Sequence, residues 1–151
     1  MPEVGDIAPD FVLPSTEGDI NLRDLLAGGM KVVLAFYTED DTPLCSQEIS
    51  SLCQEFEVLQ ELKTAVVGIS VDSVETHYNF CEKLGGCPFP LASDEDLKVA
   101  RLYQVISSDK KRSNRAMFVV GEEGTIIHKN DWYQPSNPAQ FLEVFSALGI
   151  E

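Results

Sequence analysis

Cys45 is the residue whose type and setting most favour chemistry. It stands in Thr42-Pro43-Leu44-Cys45-Ser46-Gln47-Glu48, just after an apolar run from Val32 to Tyr37 and a short polar turn. Threonine at an N-cap followed by proline at the first helical position marks a helix start. Cys45 then falls in the first turn, where unpaired backbone N–H groups and the positive end of the helix dipole favour the reactive thiolate over the thiol. A free cysteine is otherwise most often a small buried apolar residue, and the Thr-Pro cap separates Cys45 from that reading. The neighbours narrow the chemistry. The sequence continues Ser46-Gln47-Glu48, without the second cysteine of a dithiol oxidoreductase pair. A cysteine hydrolase needs a histidine base, and His77 and His128 belong to no local signature of one. Cys81 and Cys87 across a Gly-Gly turn, and Cys45 and Cys53 along a helix, lack the closely spaced ligand pairs of a zinc site, so no metal is expected.

The elements that must position Cys45 follow from periodicity and turn signals. Asp10 to Pro14 and Asp19 to Leu22 read as two short extended pieces around Glu17-Gly18, a hairpin. Leu22 to Leu26 reads as a helical turn ended by Gly28-Gly29. Lys31 to Tyr37 is apolar enough for a strand buried on both faces. From Pro43 to about Leu62, Ile49, Leu52, Cys53, Phe56, Leu59 and Leu62 keep the spacing of an amphipathic helix, with Cys53 inside the stripe as a core thiol. Ala65 to Val71 is a second buried strand. Ser73-Val74 opens a helix with Val74, Tyr78, Cys81 and Leu84 on about one face, ended by Gly85-Gly86. Phe89 to Ala92 is a short strand, Asp94 to Leu102 a short helix, and Ser107 to Asn114 a loop. Ala116 to Val120 and Thr125 to His128 flank Gly121-Glu122-Glu123-Gly124 as a hairpin, and the last helix runs from about Pro138 to Leu148. This order predicts one α/β domain over residues 1–151, a thioredoxin-like mixed central sheet with helices on both faces and an N-terminal hairpin.

Composition excludes several partners. The chain has 151 residues, 44% of them hydrophobic, which is enough for a sizeable core. Its net charge of −14 repels a nucleic acid backbone or an anionic membrane surface. No stretch has the length of a membrane span or the pattern of a signal peptide, so a cytoplasmic location is expected, with the four cysteines mostly reduced. Closer to Cys45, the charges of Glu39, Asp40 and Asp41 would raise the pKa of its thiol. Arg115, at the start of a core strand, is the expected compensating charge. Its other reading is an ordinary surface arginine paired with a carboxylate.

With these residues in place the chain resembles the peroxiredoxins, most closely the bacterioferritin comigratory protein or peroxiredoxin Q group. The family pattern is proline, three residues, threonine or serine, two residues, cysteine. Thr38, Thr42 and Cys45 stand at those places, so the chain departs from the pattern at Thr38, where the family's proline shields the cysteine and shapes the loop. Val4-Gly5-Asp6-Ile7-Ala8-Pro9-Asp10-Phe11 looks like the family's opening. Glu48 fits its acidic residue after the cysteine, and Arg115-Ala116-Met117-Phe118-Val119-Val120 looks like its arginine-bearing strand.

The resemblance implies a thioredoxin fold and thiol-dependent reduction of hydrogen peroxide and organic hydroperoxides, without metal or organic cofactor. Cys45 is then the attacking thiolate, which becomes a sulfenic acid. Thr42, the backbone N–H near Cys45 and Arg115 converge on the peroxide oxygens, with Thr38 and Glu48 at the binding site. Many members of this group resolve the sulfenic acid with a cysteine five residues on, which here is Ser50. Others use one in the next helix, and Cys81 looks like that version, with Cys87 its rival. The implied reductant is a thioredoxin or glutaredoxin-like protein, and the implied assembly a monomer or weak homodimer. A different class of function is a redox sensor or binding module of the same fold, whose Cys45 oxidises but turns over poorly.

Overall fold

The computed structural model describes residues 2–149. In chain order its elements are β1 (Val12–Ser15), β2 (Gly18–Asn21), α1 (Leu22–Ala27), β3 (Lys31–Phe36), α2 (Pro43–Gln54), α3 (Phe56–Glu61), β4 (Thr64–Ser70), α4 (Val74–Lys83), β5 (Leu91–Ser93), α5 (Lys98–Leu102), β6 (Ala116–Val120), β7 (Ile126–Asn130) and α6 (Pro138–Ala147). The strands form a seven-stranded mixed sheet in the order β2-β1-β5-β4-β3-β6-β7. β3 lies inside it, parallel to β4 with Leu34 opposite Val67 and antiparallel to β6 with Leu34 opposite Phe118. A strand paired on both edges and covered on both faces has no side left for polar residues, which is why its sequence is a continuous apolar run.

The alternation of side chains along β3 divides the core in two. Val32, Leu34 and Phe36 pack with Leu22 of α1, Val99 and Ala100 of α5, and Tyr103 and Phe118. Val33, Ala35 and Tyr37 pack with Cys45, Ile49 and Leu52 of α2, Phe80 of α4, and Val144 and Phe145 of α6. The expected sheet, helices on both faces and N-terminal β1–β2 hairpin are therefore all present. Because β3 is interior, its end at Phe36 is held rigidly, and the turn into α2 starts from a fixed point.

Several boundaries differ from the sequence expectation. The helix expected from Pro43 to Leu62 is two helices, interrupted at Glu55, whose backbone (φ −99°, ψ 11°) leaves helical geometry. The apolar stripe continues across the break because only one residue is displaced. The strand expected over residues 89–92 begins later, at Leu91, since Pro88 and Pro90 cannot donate ladder hydrogen bonds. The helix expected from Asp94 shrinks to Lys98–Leu102 because Leu97 is left-handed at φ 60°. Asp94 nonetheless serves it, its carboxylate accepting from the N–H groups of Val99 and Ala100. On α4 the buried face carries His77 and Phe80, whereas Tyr78, expected inside, is exposed. The polar His77 disguised that face in the sequence.

Gly68 of β4 sets how closely the layers approach. A Cβ there would lie 2.6 Å from Leu91 Cδ2 and 3.4 Å from both Ile49 Cδ1 of α2 and Tyr37 Cε1. Gly68→Ala is expected to destabilise the fold by about 1–3 kcal/mol through overpacking, read as a lowered urea midpoint. An unchanged midpoint would mean that Leu91 and α2 yield without strain.

Candidate active site

The chain leaves β3 through Tyr37, whose N–H donates to Ile69 O at 3.0 Å, and reverses at Asp41, left-handed at φ 63°. Thr42 is extended, Pro43 opens α2, and Cys45 lies in its first turn with no solvent exposure. The helix start is where the sequence places it, but Thr42 does not cap it with its side chain. The hydroxyl donates instead to Glu39 O at 3.0 Å, closing the loop on itself. The first-turn N–H groups around Cys45 are thereby left without a side-chain cap.

Each carboxylate of the acidic loop has a partner of its own. Glu39 pairs with Arg112 and Asp41 with Lys83, both near the surface. Asp40 is buried. Its carboxylate accepts from Tyr37 Oη at 2.6 Å and lies 2.7 Å from His77 Nδ1, while its N–H donates to Asp72 Oδ2 at 2.8 Å. His77 Nε2 faces Ala92 O at 3.0 Å. Both ring nitrogens of His77 thus face oxygen atoms, Asp40 Oδ2 at Nδ1 and Ala92 O at Nε2. Burial first, and then the Asp40 charge, push the Tyr37 phenol well above its usual range, so it stays a donor. Each carboxylate of the loop therefore has a partner other than Arg115.

Arg115 is left for the sulfur side. Thr38 Oγ1 lies 3.1 Å from Cys45 Sγ, and Thr38 also lines a small cavity of about 90 Å³ with Asn114, Arg115, Trp132 and Tyr133. Glu48, one turn beyond Cys45, is fully buried, and neither of its carboxylate oxygens has a hydrogen-bond partner. Burial, and then the Cys45 charge, raise the Glu48 carboxyl well above its ordinary value, against an opposing pull from Arg115. Arg115 Nε is likewise buried without a partner. Burial and Glu48 together raise the Tyr133 phenol. The result is a partly buried site holding a thiol, a hydroxyl, a carboxyl and a guanidinium, the set needed to activate a sulfur nucleophile and to stabilise charge on a leaving oxygen.

Thr38, Cys45, Glu48 and Arg115 are thus brought together, and Thr42 sits at the loop beside them. Cys81 lies on α4 one turn beyond His77, half-buried beside Cys87, and the four cysteines are free thiols. Cys53, expected as a core thiol, is also only half-buried. Sequence reasoning missed Tyr37, Asp40 and His77 as one network, and Trp132 and Tyr133 as cavity walls. Spacing carried no signal for either. His128, set aside above as a base, lies on β7 with its pKa lowered by burial.

A family model described as the AhpC/TSA family matches residues 4–129. A protein of Coxiella burnetii, provisionally named peroxiredoxin bcp, is 41% identical over 132 residues, covering 82% of this chain and 85% of its own. The crystal structure of peroxidoxin BcpB from Mycobacterium tuberculosis superposes with a TM-score of 0.87 at 27% identity, over 98% of this chain and 97% of the other. A solved structure of a yeast mitochondrial 1-Cys peroxiredoxin, resolved via glutathione/thioredoxin systems, gives a TM-score of 0.85 at 26% identity, over 98% of this chain and 76% of the other.

Two outcomes follow from the buried polar groups. Asp40→Ala leaves the Tyr37 hydroxyl and His77 Nδ1 buried without their shared partner and is expected to cost about 1–3 kcal/mol for each group in chemical denaturation. Native-state alkylation of Cys45 should also quicken, because the loop loses its tie to α4. For Glu48 the folded pKa is raised, so the folded state binds the proton more tightly. Its contribution to stability is present below the ordinary value of 4.5 and is lost as pH rises through the folded value. Glu48→Gln should therefore raise the thermal midpoint at pH 8, by the equivalent of roughly 1–3 kcal/mol, and change it little at pH 4. An equal gain at both values would mean that the carboxyl is not what titrates.

Proposed function

We propose a residue-level mechanism from one premise: this chain belongs to the AhpC/TSA family and is a peroxiredoxin, an enzyme that reduces peroxide with a protein thiol. In it the Cys45 thiolate attacks one peroxide oxygen, the O–O bond breaks, and the leaving oxygen takes a proton to depart as water or an alcohol. Cys45 is left as a sulfenic acid. The observation that carries this reading is Thr38 Oγ1 at 3.1 Å from Cys45 Sγ, on the wall of the cavity that Arg115 also lines. That volume accommodates a molecule the size of hydrogen peroxide or a small organic hydroperoxide. A donor to the sulfur and a cation beside the cavity address both ends of the reacting S–O–O line.

Each residue has a distinct task. The Arg115 guanidinium draws negative charge onto the leaving oxygen, in a buried setting where that attraction is least screened. The uncapped N–H at Cys45 supports the attacking end. Thr42 already donates to Glu39 O, so its lone pairs accept the peroxide's own O–H. Glu48, which feels both the Cys45 sulfur and Arg115, positions the guanidinium. Thr38, standing where the family has proline, supplies a hydroxyl that a proline cannot. A hydroxyl bonded to the sulfur stabilises its charged form, which favours turnover over the slow sensor reading.

Resolution falls to Cys81, whose thiol displaces hydroxide from the Cys45 sulfenic acid, forming a disulfide and water. A thioredoxin or glutaredoxin-like dithiol protein then reduces that bond, as a monomer or weak homodimer of this chain presents it. Among the described residues no helix is long and apolar enough to cross a membrane.

Cys45→Ser is expected to abolish peroxide reduction by a reductant-coupled assay. Thr38→Val should slow stopped-flow oxidation of Cys45 about tenfold or more, the worth of one hydrogen bond to a charged group, while Thr38→Ser retains the rate. Trp132, at the cavity wall, is the fluorescent reporter. An unchanged rate in Thr38→Val would remove the hydroxyl from the mechanism.

A further inference from the structure

Three of the four cysteines gather away from Cys45. α4 ends in a turn in which Gly86 N–H donates to Cys81 O at 2.8 Å, with Gly85 and Gly86 at φ 83° and 107°. This turn doubles the chain back so that Cys87 lies against Cys81. The segment that follows packs its Phe89 ring on Phe56, with centroids 5.9 Å apart, which brings the last turn of α2 alongside. Cys53 on that turn therefore faces Cys87 as well, and all three cysteines border one apolar cluster while remaining half-exposed. Eight residues of helix separate Cys53 from Cys45, about 12 Å along the axis.

Neither of the usual reasons for such a group applies. Among the described residues no set of three or more His, Cys, Asp or Glu side chains is placed to hold a metal ion. Core filling does not need three thiols at the half-exposed edge of a core.

We propose that Cys53, Cys81 and Cys87 are a second redox centre that moves the disulfide from Cys45–Cys81 to Cys81–Cys87, so that the reductant meets a bond without Cys45. This rests on Cys81 being the resolving thiol. In the first step the Cys81 sulfur bonds to Cys45 Sγ, the S–O bond of the sulfenic acid breaks, and hydroxide leaves as water. In the second, Cys87 passes its proton to Cys53 and attacks Cys81 Sγ. The Cys81–Cys45 bond breaks and Cys45 leaves with the electron pair as thiolate. Cys87 is oxidised, Cys45 is reduced, and one negative charge moves from Cys53 to Cys45.

Proximity favours the transfer. Cys87 is already beside Cys81, whereas a Cys45–Cys81 bond requires the first turn of α2 or the end of α4 to open. Moving the bond lets that structure re-form. Hydrogen bonding with Cys87 holds the Cys53 and Cys81 thiols below their ordinary range, and Cys87, shared between them, is held far above it. Cys81 is thus poised as the first nucleophile. Once Cys81 is tied up in the disulfide, Cys87 loses one of the two contacts that hold its proton, and Cys53 is the neighbour left to take it.

The test is peptide mapping of the full chain after one equivalent of hydrogen peroxide without reductant, quenched in acid at successive times and alkylated under denaturing conditions. The expected result is a Cys45–Cys81 bond that decays into Cys81–Cys87, with Cys45 becoming alkylatable. In Cys87→Ser and Cys87→Ala proteins the Cys45–Cys81 bond should accumulate. If it accumulates in those proteins and is also the end product of the unsubstituted chain, the relay is overturned while the resolving assignment stands. If no Cys45–Cys81 bond forms in any of them, the resolving assignment fails and the relay fails with it.

Discussion

The buried carboxylate of Asp40 is the contact on which the geometry around Cys45 depends. It joins Tyr37 at the end of β3 to His77 on α4, while the Asp40 N–H reaches Asp72 beyond β4. Three elements converge on one residue of the loop that carries the thiol. Buried hydrogen-bonded networks of this kind gain little net stability, but removing one partner is costly because buried polar groups are left unsatisfied. The network therefore acts as a positional lock more than as a source of stability. It ties the cysteine loop to the helix that bears Cys81, so any motion bringing those two sulfurs together must work against it or around it.

Local pairing of the acidic loop has a second consequence. In a chain with net charge −14, a thiolate would ordinarily sit in a repulsive field. Glu39 is matched by Arg112, Asp40 by His77 and Asp41 by Lys83, which leaves the Arg115 charge directed at Glu48 and the cavity. Glu48 is the exception to this economy, with both oxygens buried and unpartnered. A group kept in so unfavourable a state is a reservoir of strain of the type found at functional sites. Its place between Cys45 and Arg115 fits the task of holding the guanidinium in position. Thr38 shows the same trade on a smaller scale, exchanging a proline's rigidity for a hydroxyl against the sulfur.

Local signals in the sequence determined the elements and the place of the thiol. The apolar run of β3, the Pro43 start of α2 and Cys45 in its first turn are readable because each depends on residues within a few positions of one another. The Thr38-Thr42-Cys45 spacing and Arg115 before β6 were legible for the same reason, once the family pattern was recognised. Misreadings arose where a local rule met a distant partner. Thr42 turned from capping to the Glu39 carbonyl, and α4 buried His77 in place of Tyr78 because Asp40 waited for it. Only the tertiary structure decided the pairings. Asp40 and His77 are 37 residues apart and Glu39 and Arg112 are 73 apart, and no periodicity spans such separations. The three-thiol cluster was hidden for that reason too: Cys53 looked like one more stripe residue until the Gly85-Gly86 turn and the Phe56–Phe89 contact folded Cys87 onto it. Residue types state which groups are able to react, but the sheet and its helices decide which of them meet.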